Sequence, residues 1–203
     1  MANLVPKIPA DQWVAIARQV LVEEGIEGVK VDRLAIRLGV SRGGFYHHFV
    51  DRSDLLQRLL DDWAHSVEFV PVQLDVRDAN DALRAIDALV DHLLAERHYD
   101  PKFDMAVRAW AHADAAVEKA VNRSDRRRIA ALKQIFDAMG CDDEEATIRA
   151  KVFYFHQIGY YAIGLKETRN ERRGHVQTYT DILCGRENLE RARQQASVGA
   201  NRA

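Results

Sequence analysis

Side chains able to bind phosphate or to read base edges cluster in the stretch around residue 45. Arg42, Tyr46 and His47 all carry hydrogen-bond donors that suit such contacts. Gly43 and Gly44 stand between them, although each glycine costs a helix about 1 kcal/mol relative to alanine. A missing Cβ lets the backbone approach a partner closely. The pattern predicts a short helix whose first turn meets the floor of a DNA groove; the structural alternative is a small solvated helix.

The flanking residues predict a helix-turn-helix that positions this segment. Phe45 and Phe49 are four residues apart and share the face of the short helix opposite the donors. Gly39 can take the positive φ that ends the preceding helix, and Ser41 is a good N-cap for the next one. The preceding helix has apolar residues at helical spacing, namely Val31, Leu34, Ala35 and Leu38. A short turn that contains glycine between two helices is typical of the motif.

The sequence LGVSRGGFYHHFVDRSDLL, residues 38–56, closely resembles the DNA-binding segment of the tetracycline-repressor (TetR) family. The positions that carry the resemblance are Phe45, Tyr46, His48, Phe49 and Arg52. The resemblance extends from about Asp11 to Leu60. One position departs from the family pattern, which usually has Thr or Ser just before the second helix. This chain has Lys30 there, and a lysine can reach a phosphate only as a point charge.

The residue types and the resemblance together predict a DNA-contacting surface. Between residues 30 and 52, five basic side chains stand against two acidic ones, 5 − 2 = +3, although the whole chain of 203 residues has a net charge of −2. Local positive charge is what docking on a phosphate backbone requires. The residues expected to contact double-stranded DNA are Lys30, Arg33, Ser41, Arg42, Gly43, Gly44, Tyr46, His47 and Arg52. Arg52, beside the Asp51 cap of the next helix, is expected to clamp a phosphate; the alternative is a solvated arginine.

The composition favours an all-α fold. The chain has only four prolines and eleven glycines, and its 47% of hydrophobic and 30% of charged residues are typical of globular proteins. The resemblance implies an N-terminal three-helix DNA-binding head that contains the helix-turn-helix, followed by a larger helical domain for ligand binding and dimerisation. The predicted domains are 1–62 for the head, 63–187 for the effector-binding and dimerisation domain, and 188–203 for a polar, disordered tail.

A helix predicted over about residues 143–167 is apolar around most of its circumference, which indicates burial on several sides. The resemblance implies that this helix and the final one pair with their copies to make a four-helix homodimer interface. The residues assigned to that interface are Val152, Phe155, Gly159, Ala162, Ile163, Tyr179 and Ile182. The alternative is the central core helix of a monomer.

The second domain of TetR-like proteins holds a small molecule between its helices, so the resemblance implies a small apolar or aromatic effector. The candidate lining residues are Phe103, Trp110, Phe155, His156 and Tyr160, which are bulky and partly polar. Aromatic residues at helical spacing also serve as ordinary core, and that alternative remains open for all of them.

The sequence gives no support to catalysis. It has no glycine-rich phosphate loop, nucleophile elbow or favourable Cys–His spacing, so we expect no enzyme, no cofactor and no metal site. Cys141 and Cys184 are isolated thiols, read most simply as reduced in a cytoplasmic protein, and no membrane span is expected. The prediction is a homodimeric transcriptional regulator, most simply a repressor, that binds palindromic operator DNA and is released by a small-molecule effector. The alternatives are a regulator that responds to another protein and a carrier or enzyme that does not bind DNA.

Overall fold

The computed structural model describes residues 8–67, 69, 76–96 and 99–200; for residues 198–200 it describes the backbone only. Over these residues the fold is all-α, which confirms the predicted fold class. The α-helices are α1 (Ala10–Glu24), α2 (Val31–Leu38), α3 (Arg52–Ser66), α4 (Ala79–Ala95), α5 (Pro101–Ala111), α6 (Ala115–Ala138), α7 (Asp143–Ile163), α8 (Arg169–Thr180) and α9 (Arg186–Ala200).

The chain divides into two compact units. The first comprises Met1–Val67 and Asp100–Asn122, and the second comprises Glu68–Tyr99 and Arg123–Ala203. The first unit therefore combines the N-terminal helices with α5 and the start of α6. The boundary at residue 62 that the sequence suggests stays a prediction.

The first unit is built around buried aromatic side chains. Trp13 of α1 and Trp63 of α3 are fully buried. The Trp63 indole Nε1 donates a 2.8 Å hydrogen bond to Oδ1 of the buried Asp104 on α5, and Arg108 one turn later donates to Oδ2 at 3.2 Å. A buried carboxylate is tolerated only when it is paired and hydrogen-bonded, as it is here. This network joins α3 to α5.

The second unit has its own core, in which α4, α7 and α9 take part. The Phe69 ring meets the rings of Tyr99 and Tyr154 edge to face, with centroids 5.6 and 4.9 Å away. Such arrangements place the positive edge of one ring against the negative face of another. Leu89 of α4 and Ala150 of α7 are also fully buried. The apolar stripes of these helices therefore account for the packing of the unit.

The C-terminal segment differs from the polar tail that the sequence suggests, because helix α9 extends over Arg186–Ala200. Leu189 and Ala192 are buried. Asn188 is buried as well, and its side-chain amide donates to Glu145 of α7 at 2.8 Å. These few inward contacts hold a helix whose composition is otherwise polar.

Candidate DNA interface, apolar face and cavity

The helix-turn-helix is built as its residues suggest. Helix α2 ends at Gly39, which takes the left-handed conformation with φ of 67°, and the chain then turns into a short 3-10 helix over Arg42–His47, here called the recognition helix. Ser41 occupies the N-cap position, but its side chain makes no capping hydrogen bond. Its exposed hydroxyl is therefore not used to cap the helix.

The underside of the recognition helix is anchored in the first unit. Phe45 is fully buried, with its ring edge-on to Trp13 at 5.4 Å and stacked on Phe49 at 5.0 Å. The ring of His48 lies 2.7 Å from the Ile8 carbonyl oxygen through Nε2. The inward residues of the motif thus fix the orientation of the helix.

The outer side of the recognition helix presents the predicted donors to solvent. Tyr46 is 50% exposed, and Arg42 and His47 are exposed too. The Arg42 guanidinium donates to the Tyr46 hydroxyl at 3.2 Å and lies 3.4 Å from an Asp32 carboxylate oxygen. The Tyr46 hydroxyl and the Asp32 charge raise the pKa of Arg42, so this guanidinium stays protonated. The contact between Arg42 and Tyr46 holds these two donors together on the exposed side of the recognition helix.

The two glycines of the recognition helix are not demanded by the fold. A Cβ on Gly43 would lie 3.7 Å from the Ser41 hydroxyl, and one on Gly44 would lie 3.8 Å from the Trp13 ring. Both are ordinary van der Waals distances, and neither glycine has a positive φ. The protein itself therefore has room for alanine at both positions.

Two of the other predicted DNA-contacting side chains, Arg52 and Arg33, have structural partners that the sequence did not reveal. Arg52 is half-buried, and its guanidinium donates to the carbonyl oxygens of Val29 at 2.6 Å and Ile26 at 2.9 Å. It holds the turn that precedes α2, which is a different role from the predicted phosphate clamp. Arg33 donates to Glu24 at 2.6 Å, whereas Lys30 at the N-cap of α2 is exposed.

A family model described as bacterial regulatory proteins, tetR family, matches residues 14–59, which contain the whole helix-turn-helix. Residues 14–59 therefore contain a DNA-binding segment of the tetR-family type. HTH-type transcriptional regulators from strains of Staphylococcus aureus are 32% identical to it, over 30% of this chain and 40% of theirs. The aligned part thus spans less than half the length of these relatives.

Solved structures share the fold of this chain over most of its length. A transcriptional regulator from Rhodococcus sp. Rha1 has a TM-score of 0.61 at 20% identity, covering 88% of this chain and 95% of the other. A TetR-family regulator from Marinobacter aquaeolei VT8 has a TM-score of 0.63 at 16% identity, covering 91% and 95%. At these identities the likeness concerns the fold.

Helix α7 exposes large apolar side chains on one side. Val152 is 48% exposed, Phe155 60% and Ile163 72%, and a Cβ at Gly159 would meet nothing within 4 Å. The apolar face, as we call this surface, comprises the predicted dimer residues Val152, Phe155, Gly159, Ala162, Ile163, Tyr179 and Ile182 together with Ile148. Groups of large exposed apolar side chains are typical of interaction sites.

A cavity of about 70 Å³ lies in the second unit between α4, α7 and α8. Its lining comprises Val90, Leu93, Leu94, Phe153, His156, Gln157, Tyr160, Glu167, Arg172, Val176, Tyr179, Thr180 and Leu183. Of the predicted effector-binding residues, His156 and Tyr160 therefore come together here. Burial lowers the pKa of His156, so its ring is neutral at pH 7.

The other predicted effector-binding residues lie elsewhere. Phe103 and Trp110 are buried in the first unit, where the Arg18 guanidinium covers the Phe103 ring at 4.3 Å. Phe155 is exposed on the apolar face. Phe155 and His156 are consecutive in the sequence, and consecutive side chains of a helix point in different directions. The two residues therefore do not line the same cavity.

Two other kinds of site find no support in the part of the chain that the structure describes. No helix there is long and apolar enough to span a bilayer. Nor do histidine, cysteine and acidic side chains gather there into a group of three or more that could hold a metal ion.

Cys141 and Cys184 are buried free thiols. Burial raises the pKa of Cys184 to about 12, so that thiol stays protonated.

Proposed function

We propose that this protein is a cytoplasmic transcriptional repressor that binds palindromic operator DNA as a homodimer and is released by a small-molecule effector. The observation that carries the proposal is that the recognition helix has one buried side and one exposed side. Phe45 and Phe49 anchor its underside, while Arg42, Tyr46 and His47 remain exposed on a helix with room for close approach. Donors of these types suit phosphate oxygens and the major-groove edges of bases.

The size of the recognition helix and the apolar face support the proposed homodimer. A helix of this length reaches few bases, and two-fold symmetry doubles its contacts on a palindrome whose half-sites lie about one DNA turn or more apart. The apolar face supplies a self-complementary surface, because its stripe on α7 passes through Gly159, where a second helix can approach. Covering the exposed Phe155 and Ile163 side chains would provide the hydrophobic gain.

Effector release requires that a ligand prefer one arrangement of the protein over another. Tyr179 supports this step, because it lines the cavity and also belongs to the apolar face, with its ring 4.8 Å from that of His156. A ligand in the cavity therefore acts on a residue of the proposed dimer interface. A coupling of about 1–3 kcal/mol, typical of allosteric proteins, would lower operator affinity by roughly 5- to 150-fold.

The test is fluorescence anisotropy of the purified full chain with labelled DNA from upstream of its own coding region, beside scrambled DNA of equal length, at several salt concentrations. We expect preferential binding that weakens steeply with salt, because phosphate contacts release counterions. Tyr46→Ala should abolish the preference while the protein still unfolds in a cooperative thermal transition, since Tyr46 is half exposed.

Two controls sharpen this measurement. Tyr46→Phe keeps the ring but loses the hydroxyl that accepts from Arg42, so an intermediate affinity would assign part of the effect to that hydroxyl. Arg42→Ala should reduce the slope of log K against log salt by about 0.9 for each phosphate that the variant no longer neutralises. An absence of binding to either DNA even at low salt would overturn the regulator proposal and favour a carrier.

A further inference from the structure

Gln157 of α7 has a buried amide with an unused donor. The side chain is 8% exposed and lines the cavity between α4, α7 and α8. Its Nε2 atom has no hydrogen-bond partner among the described residues. Buried side-chain amides are nearly always hydrogen-bonded, because leaving a donor unpaired sacrifices its interaction with water. An unpaired donor on a residue of the cavity lining therefore indicates that something else supplies the acceptor.

The other walls restrict what that partner can be. The lining is mainly aliphatic and aromatic, contributed by Val90, Leu93, Leu94, Phe153, Val176 and Leu183. A ligand must fill this space with apolar groups, since polar groups without partners would be costly there. The volume of about 70 Å³ is several times what one water needs, which suits a single ring or a short chain.

The charged groups at the cavity are already balanced. The Arg172 guanidinium donates to the Glu96 carboxylate at 2.6 Å and to the Tyr161 hydroxyl at 3.3 Å. His156 is neutral because burial lowers its pKa. Glu167 adds a further carboxylate to the lining. With its cation paired and an acid beside it, the cavity disfavours an anionic ligand and favours a neutral one.

We propose that this cavity binds a small, neutral, mostly apolar molecule with one carbonyl-type acceptor, and that Gln157 selects it by donating a hydrogen bond from Nε2 to that oxygen. The proposal rests on the proposed effector-responsive function and names the chemistry of the effector. Gln157 acts as a specificity-determining residue, because an isosteric molecule without the acceptor would leave the amide unpaired.

The experiment compares two probes of nearly the same shape, acetophenone and α-methylstyrene, in which a CH₂ group replaces the carbonyl oxygen. Thermal unfolding of the full chain is followed at increasing concentrations of each probe, since a ligand of the folded state raises the unfolding temperature. For wild type we expect acetophenone to bind about tenfold more tightly than α-methylstyrene, the ratio for one recovered hydrogen bond.

Gln157→Leu tests the assignment, because leucine fills similar space without a donor. We expect this variant to bind both probes equally and, without any probe, to unfold at a higher temperature than wild type. If the branched leucine side chain disturbs the packing, the Gln157→Met variant is used in place of Gln157→Leu. The matched control is Gln134→Leu on α6, an exposed glutamine of the same unit outside this lining, which should keep the wild-type preference for acetophenone.

Equal affinity of wild type for the two probes, failure of both to bind, or a preference that survives in Gln157→Leu and Gln157→Met would each overturn the inference. Failure of the proposed function is seen separately, in the operator titration of wild type without any probe. Selective operator binding together with indifference to the probes would refute only the ligand assignment. Acetophenone that lowers operator affinity of wild type, but not of Gln157→Leu, would support both proposals.

Discussion

The recognition helix divides its residues between an anchored underside and an exposed outer side. Phe45 packs on Trp13 and Phe49, so the position of the helix depends on inward contacts. Arg42 and Tyr46 contact each other and are exposed, although the Tyr46 ring also meets the Phe45 ring edge to face at 5.3 Å. Substitutions on the outer side should therefore change binding far more than stability, which makes DNA binding separable from folding.

Gly43 provides a residue-scale prediction. Gly43→Ala adds a methyl group that meets only ordinary contacts within the protein, and alanine gains up to about 1 kcal/mol of helix propensity. The free energy of unfolding should stay equal or rise, as followed by circular dichroism. Operator affinity should fall at least about tenfold, or 1.4 kcal/mol, because the methyl group obstructs close approach to the groove.

Gly39→Ala is the contrasting substitution in the same motif. Its φ of 67° is strained for alanine, so this variant should lose about 1–2 kcal/mol of stability although the Cβ meets nothing within 4 Å. Gly43→Ala protein with unchanged operator affinity would show that the glycines of the recognition helix do not serve close approach.

Residue types and local spacing were enough to predict the inward and outward residues between 41 and 49, because those contacts are set within two helical turns. They were not enough for the arginines. Arg33 pairs with Glu24, Arg37 pairs with Glu23 and Glu24, and these acids come from the end of α1. The local charge of +3 counted only residues 30–52 and so omitted these acids. Side-chain pairing across a tertiary contact is not visible in local sequence.

At the scale of elements, the connection between α8 and α9 is a turn held by a specific side chain. A π-helical turn over Asp181–Gly185 joins the two helices, and Gly185 has a φ of 80°. The Arg149 guanidinium covers Gly185 and donates to the Leu183 carbonyl oxygen at 3.2 Å. Since Leu183 also lines the cavity, the turn fixes part of the cavity wall.

Gly185→Ala should therefore destabilise the protein by about 2–3 kcal/mol. The new Cβ would lie 2.8 Å from Nη2 of Arg149, and alanine at positive φ costs about 1–2 kcal/mol in addition to this crowding. Urea unfolding of both proteins measures the difference. The control is Gly174→Ala on α8, where a Cβ meets nothing within 4 Å and helix propensity should add up to about 1 kcal/mol. A Gly185→Ala protein as stable as Gly174→Ala would contradict this account of the turn.

Helix boundaries with strong local signals could be predicted, and those that depend on a few tertiary contacts could not. The Asp51 carboxylate accepts from the Asp54 backbone N–H at 3.0 Å and caps α3, as its spacing suggests. By contrast, α9 is mostly polar, and its buried side chains are too sparse to give a clear helical period. Its hydrogen bond to Glu145 spans 43 residues and has no local signature.

At the scale of the whole molecule, the sequence could suggest which helices carry exposed apolar residues but not how the chain divides into units. Phe103 and Trp110 have the size and polarity of ligand-binding residues, yet α5 belongs to the same unit as the recognition helix. Aromatic type and spacing are the same for a core residue and for a cavity residue. Only the three-dimensional partners of each ring separate the two cases.

The apolar face gives the prediction for the whole molecule. Phe155→Glu should convert the proposed dimer into monomers, raising the dissociation constant at least about a hundredfold in sedimentation velocity. An unpaired carboxylate in an apolar interface costs several kcal/mol, and two-fold symmetry places it there twice. The monomer should keep its stability, because Phe155 is 60% exposed. Ile36→Glu is the control, since Ile36 is 78% exposed on α2, outside the apolar face.

Operator binding connects this change to function. In the Phe155→Glu protein each recognition helix is intact, with Tyr46 still exposed, but a single helix would have to hold its half-site without a second one. We therefore expect operator affinity to fall to that of scrambled DNA while the fold is retained. A wild-type chain that sediments as a monomer, or a Phe155→Glu variant that dimerises and binds the operator as wild type does, would show that the apolar face serves another partner.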